Sequence, residues 1–188
     1  MEALIIVDVQ QDFLPGGSLA VPNGDQIIVP INSIRDHFEL VVFTQDWHPA
    51  NHCSFKENGG PWPAHCVQGT AGAEIDPRLI RKEGDIIIQK GIYQDVDSYS
   101  GFWDNERKHK TDLDGILLSH NIRTVCIAGL ATNFCVKFTA TDAKDAGYNV
   151  FLIKDACKGI NINPGDVDRS IEEMATKGIH SLPSSQIF

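Results

Sequence analysis

The stretch Thr124 to Ala146, TVCIAGLATNFCVKFTATDAKDA, decides the fold. It opens as an apolar strand, Val125-Cys126-Ile127-Ala128, and breaks at Gly129. It then turns through small and polar residues and continues with helical spacing. Cys135 falls near the start of that helix. Backbone N–H groups and the positive end of the helix dipole meet a side chain there, and both favour a thiolate over a thiol. A nucleophile at a strand-turn-helix elbow is also how hydrolases expose an attacking atom beside an oxyanion hole. A free cysteine is more often a small core hydrophobe, so the surrounding chain has to decide between the two.

Working outward, four more apolar runs read as strands. Ala3–Val7 ends in Asp8. Leu40–Phe43 runs into Thr44-Gln45-Asp46, and Ile86–Ile88 into Gln89-Lys90-Gly91. Val150–Ile153 ends at Lys154-Asp155. Asp25 can cap a helix reaching about Phe38, with Ile27, Ile28, Ile31 and Ile34 on one face and Pro30 near its first turn. A second helix is expected over Asp112–His120 and a last one from Asn163-Pro164 to about Lys177, followed by a short strand near His180. Trp47–Gly72 lacks regular structure, and a loop this long in a compact chain is usually functional; Val96–Lys110 is polar and aromatic and reads as irregular. Unbroken apolar strands alternating with helices indicate an α/β fold: a three-layer αβα sandwich around a mostly parallel, Rossmann-like sheet. With no repeat, low-complexity tract or linker, residues 1–188 read as one domain.

The bulk composition sets outer limits. Hydrophobic residues make up 42% of the 188, an ordinary globular balance, and the formal charge of -9 argues against nucleic acid or an anionic membrane surface as partner. No run is long enough to span a bilayer. The N-terminus, MEALIIVDVQ, has an acidic second residue and no positive n-region, so it reads as a strand and not as a signal peptide. Five scattered cysteines, Cys53, Cys66, Cys126, Cys135 and Cys157, make a poor disulfide framework and point to a reducing, cytoplasmic setting.

In a parallel sheet the carboxyl ends of the strands lie on one edge, and ligands bind there. Asp8, Asp46, Lys90 and Cys135 are therefore brought together by topology. A strand often ends in something polar as it reaches water. That accounts for one such residue better than for two acids, a lysine and a cysteine. A carboxylate can take the thiol proton and an ammonium can hold the thiolate, so Asp8, Lys90 and Cys135 form a working nucleophile site without a histidine. Asp46, His48, His52 and His65 lie in one loop region. One carboxylate with two or three imidazoles suits a divalent transition ion such as Zn²⁺, Fe²⁺ or Mn²⁺, with positions left open for water or substrate. His52 is either a ligand or an outer group holding a metal-bound water. A structural zinc site using Cys53 and Cys66 beside His52 and His65 ranks lower, because paired C-x-x-C spacing is missing. Phe13, Trp62 and Tyr99 either cover the core or form a slot for a planar ring.

Together, ALIIVDVQQDFLPGGSLAV, TQDWHPANHCSF, GPWPAHCVQGTAGAE, KGIYQDVDSYSGF and IAGLATNFCVKFTATDA resemble the nicotinamidase (pyrazinamidase) group of the isochorismatase-like cysteine hydrolases. The resemblance implies hydrolysis of nicotinamide to nicotinate and ammonia, in NAD salvage, with pyrazinamide-like amides also accepted. Asp8 would be the general base, Lys90 its charged partner and Cys135 the nucleophile. Asp46, His48 and His65 would hold one divalent ion, zinc first, with iron or manganese as alternatives; His52 matches a position that varies in role. Backbone N–H groups of Ala131 and Cys135 would form the oxyanion hole, with a cis peptide before Ala131, and Phe13, Trp62 and Tyr99 would line the ring slot. Gln11 and Asn133 stand where the family commonly has Asn and Asp, and neither removes a reacting group. The partner implied is a small amide; assembly into a homo-oligomer is left open. The nearest rival is a hydrolase of carbamoyl compounds or maleamate, which keeps the trio and does not need the metal loop. A non-catalytic zinc-binding protein is the rival from another class.

Overall fold

The computed structural model describes residues 1–187. Six strands form one sheet: β1 (Glu2–Val7), β2 (Leu40–Asp46), β3 (Ile86–Lys90), β4 (Thr124–Leu130), β5 (Asn149–Lys158) and β6 (His180–Leu182). Their order is β3-β2-β1-β4-β5-β6 and every pairing is parallel. The order reverses direction between β1 and β4, and a crevice opens at such a switch point, outside the carboxyl ends of the strands.

Four α-helices cover the sheet: α1 (Ile28–Ile34), α2 (Leu113–Ser119), α3 (Lys137–Asp145) and α4 (Asp166–Thr176). Alternation along β1 shows how the layers form. Ala3, Ile5 and Val7 pack in one core with Leu113 and Leu117 of α2, Ala140 and Ala143 of α3 and Met174 of α4. Leu4 and Ile6 point the other way, into a second core with Ile28, Ile31 and Ile34 of α1. A strand buried on both faces has no polar positions to alternate, which is why β1 reads as an unbroken apolar run. The three-layer α/β reading holds.

Several element boundaries differ from expectation. Asp25 does not cap α1: it lies in a 3₁₀ turn over Gly24–Ile27 that makes no side-chain capping bond, and a further 3₁₀ turn over Arg35–His37 follows the helix. The predicted single helix is thus three short pieces that still bury Ile27, Ile28, Ile31 and Ile34. β5 continues to Lys158, well past Lys154-Asp155, because its register against β4 shifts between Ile127 and Gly129 and pairing resumes at Gly129 with Cys157. β4 likewise does not break at Gly129 but ends at Leu130. Gly129 is nevertheless required: its φ is +126°, and a Cβ there would lie 2.1 Å from the Val7 carbonyl oxygen.

Candidate active site

Topology delivers the four expected side chains to one place. Asp46 and Lys90 are the last residues of β2 and β3 and are paired in register. Asp8 follows β1 directly, in the left-handed region at φ 49°, and Cys135 lies in one turn of π-helix, Thr132–Val136, that joins β4 to α3. The elbow is made by Phe134, whose φ of -125° and ψ of -109° leave helical geometry, and by the Ala131 carbonyl, which accepts hydrogen bonds from the N–H groups of Phe134 and Val136. The Leu130–Ala131 peptide is cis.

Lys90 is the hub. Its Nζ lies 2.5 Å from Asp46 Oδ1, 2.8 Å from the Ser98 carbonyl oxygen and 3.5 Å from Cys135 Sγ. It is also 2.9 Å from Asp8 Oδ2, at ion-pair distance but outside hydrogen-bond alignment. Asp8 Oδ1 accepts a hydrogen bond from Thr44 Oγ1 at 2.6 Å. Oδ2 therefore keeps a lone pair available, and Asp8, Asp46 and Cys135 each place an atom within 4.8 Å of the others. Lys90 and Asp8 are essentially inaccessible to solvent.

Burial dominates the electrostatics. It pushes the Asp8 carboxyl up, and Lys90 only partly offsets this. The Cys135 thiol is raised well above an ordinary cysteine by the same burial, against the pull of Lys90. Burial opposes the charge on Lys90, but Asp46 and Asp8 outweigh it and hold the ammonium form. Asp46 is also desolvated, yet Lys90 and His48 bring its carboxyl below the usual range. The resting thiol is therefore protonated beside a carboxylate more basic than usual. That arrangement suits proton transfer at the moment of attack and does not require a preformed thiolate.

The loop Trp47–Gly72 supplies a second cluster. Ligand atoms of Asp46, His48 and His65 all lie within 4.8 Å of one another. His48 Nδ1 is 2.8 Å from the Gly91 carbonyl oxygen, and His65 Nδ1 is 2.8 Å from that of Pro63. A carbonyl only accepts, so both Nδ1 atoms are donors, and in the neutral rings both Nε2 atoms carry lone pairs. His48 Nε2 is fully buried without a hydrogen-bonding partner and sits 3.5 Å from Asp46 Oδ2. Two imidazoles beside a carboxylate in a buried site suit a cation, and against its burial the His48 imidazole is raised by Asp46. The residues fit a divalent metal, with the outer carbonyls fixing each imidazole.

His52 stands apart. Its Nδ1 is 2.7 Å from Ser54 Oγ and its Nε2 3.2 Å from the Val96 carbonyl oxygen, so both ring nitrogens are occupied. The ring stacks on His48 with centroids 4.1 Å apart. Of the two roles open to it, this geometry favours the outer one.

Phe13, Trp62 and Tyr99 do meet in one cavity, together with Leu19, Val21, Leu130, Ala131, Phe134 and Ile160. Asp46, His65 and Cys135 open onto it. Trp62 Nε1 donates to Tyr99 Oη at 3.1 Å, and both rings stand edge-on to Phe134. Burial raises the Tyr99 hydroxyl to about 12, so it stays neutral. A wider, open groove along the outer edge of β3 reaches neither Cys135 nor the three loop histidines.

Sequence reading missed Thr44, Ser98, Phe134 and Asp97, which also lines the cavity. It also missed Gln10 and Asp12. Their one available signal was position, two and four residues beyond Asp8 in a segment that leaves the same strand end.

A parallel sheet whose switch point holds a buried thiol, an ammonium and two carboxylates beside a mostly apolar, aromatic-lined cavity defines a hydrolase of α/β type. The isochorismatase domain model matches residues 2–185, and the chain belongs to that family. It is 45% identical over 202 residues to the nicotinamidase of Acinetobacter baylyi, across 99% of this chain and 94% of that protein. Among solved structures, the nicotinamidase/pyrazinamidase of Acinetobacter baumanii superposes with a TM-score of 0.95 at 41% identity, covering 100% of this chain and 98% of the other. A pyrazinamidase of Pyrococcus horikoshii in complex with zinc gives 0.88 at 48% identity, covering 97% and 98%.

Proposed function

We propose that this chain hydrolyses the ring carboxamide of nicotinamide, giving nicotinate and ammonia, and that it accepts pyrazinamide-like amides in the same slot. One observation carries the reading: the Lys90 ammonium touches Asp8, Asp46 and Cys135, joining the thiol site to the histidine cluster. A hydrolase of carbamoyl compounds has no use for that cluster. The nicotinamidase and zinc-bound pyrazinamidase relatives support the same substrate class.

Asp46, His48 and His65 would hold zinc. When bound, the ion supplies a Lewis-acid anchor for a ring nitrogen. The apolar walls Phe13, Trp62, Tyr99 and Phe134 orient the flat ring and exclude water from the carboxamide. Asp8 takes the proton from Cys135 Sγ, and the sulfur attacks the carboxamide carbon. Backbone N–H groups of Ala131 and Cys135 receive the developing oxyanion. Asp8 then returns its proton to the departing nitrogen, leaving a thioester and ammonia. A water that gives its proton to Asp8 hydrolyses the thioester to the acid and frees the thiol. Lys90 stays protonated and faces the negative charge when it resides on Asp8 or on Cys135 Sγ.

The direct test is a panel of small amides assayed for ammonia release, with metal content measured on the same sample. Nicotinamide and pyrazinamide are expected to turn over and aliphatic carbamoyl compounds to be poor. Preference for the carbamoyl compounds, or full turnover by verified metal-free protein, would overturn the reading.

A pH profile follows from Asp8. The base must be ionised to accept the thiol proton, and burial raises its pKa above the ordinary 3.8. Turnover is therefore expected to fall as pH drops through that raised value, giving an acid limb above the normal aspartate range. A kcat/KM profile flat down to pH about 4 would remove Asp8 as base.

All six strands belong to one sheet, which supports a single domain over residues 1–188. Five free thiols support a reducing, cytoplasmic setting. Among the described residues no helix is long and apolar enough to cross a membrane.

A further inference from the structure

The three proposed metal ligands come from two separate parts of the chain, yet all are tied to one short segment after β1. The Gln10 side chain is fully buried and bridges the backbone of Asp46 on both sides. Its Oε1 accepts from Asp46 N–H at 2.8 Å, and its Nε2 donates to the Asp46 carbonyl at 2.8 Å. Nε2 also donates to the Ala73 carbonyl at 2.8 Å. Two residues on, Asp12 Oδ2 accepts from Cys66 N–H at 2.7 Å. Cys66 adjoins His65, sits in the left-handed region at φ 45°, and accepts at its carbonyl oxygen from His48 N–H at 2.9 Å. One carboxylate thus holds the residue that places both histidines. Gly72 leaves the room for it: a Cβ there would fall 2.1 Å from Asp12 Oδ2.

We infer that Gln10 and Asp12 are positioning residues for the metal centre, with Gln10 fixing Asp46 and Asp12 fixing His65 and His48 through Cys66. The inference rests on the reading of Asp46, His48 and His65 as the metal site. Neither residue is among the proposed metal ligands or the residues lining the cavity. They act by holding the end of β2 and a long irregular loop in one arrangement, and loss of such support typically lowers metal affinity about 10- to 100-fold.

The test measures zinc affinity by chelator competition on folded protein, for wild type, Asp12→Asn and Gly72→Ala. The first variant removes the charge in place; the second keeps it and displaces it. Both are expected to bind zinc about tenfold or more weakly, with wild-type circular dichroism and with KM raised more than kcat is lowered. Folded variants with wild-type affinity would overturn the inference. A measurement on wild type alone guards against variants that do not fold: amide exchange at Cys66 is expected to slow on zinc binding, because the clamp and the site stabilise each other reciprocally. Unchanged exchange at Cys66 would overturn the clamp while leaving the metal site intact. Wild type that binds no zinc would overturn both readings.

Discussion

Replacing Cys135 by alanine is expected to reduce nicotinamide turnover by roughly 10⁴- to 10⁶-fold, the range seen when a covalent nucleophile is removed. The reason is geometric. Sγ is the proposed nucleophile, and it lies at the elbow with Lys90 and Asp8 arranged around it. The other four thiols are not placed to replace it: among the described residues Cys53, Cys66, Cys126 and Cys157 neither line the cavity nor contact Lys90. Binding should survive, since the cavity walls Phe13, Trp62, Tyr99 and Phe134 are untouched. The measurement pairs ammonia release with nicotinamide titration by calorimetry. Turnover lost with affinity kept within about threefold supports covalent catalysis. Activity near wild type would end the thioester scheme.

Lys90→Met should cost both activity and about 3–5 kcal/mol of stability at neutral pH, the usual penalty for removing one partner of a buried ion pair. Lys90 is 1% exposed, and its removal leaves Asp8 and Asp46 buried without their shared cation. The pH dependence has a definite sign. Burial already raises the Asp8 pKa in the folded state, and without Lys90 nothing comparable opposes it. The folded protein then binds the Asp8 proton more tightly than the unfolded chain does. Stability is lost as pH rises from the unfolded value through the raised one, and recovered as pH falls back. Urea unfolding at pH about 5 and 8 measures this. The deficit relative to wild type should be smaller at the lower pH. An unfolding midpoint unchanged at pH 8 would mean that Lys90 does not neutralise the buried carboxylates.

The sequence by itself determined the order of strands and helices, because a strand buried on both faces must be apolar throughout and a helix buried on one side must repeat near 3.6 residues. It also identified Asp8, Asp46, Lys90 and Cys135 as neighbours, since parallel strands put their carboxyl ends on one edge. What it could not determine depended on hydrogen bonds between residues far apart in the chain. The bonds that favour the outer role for His52 come from Ser54 and Val96, and a histidine's role is set by partners and not by spacing. The extension of β5 to Lys158 follows from a register shift against β4, which no apolar pattern records. Gln10 and Asp12 looked like ordinary loop residues in QQDF. Only the tertiary structure, pairing β1 with β2 and folding the 47–72 loop back over that segment, gave their side chains the backbone of Asp46 and Cys66 to hold.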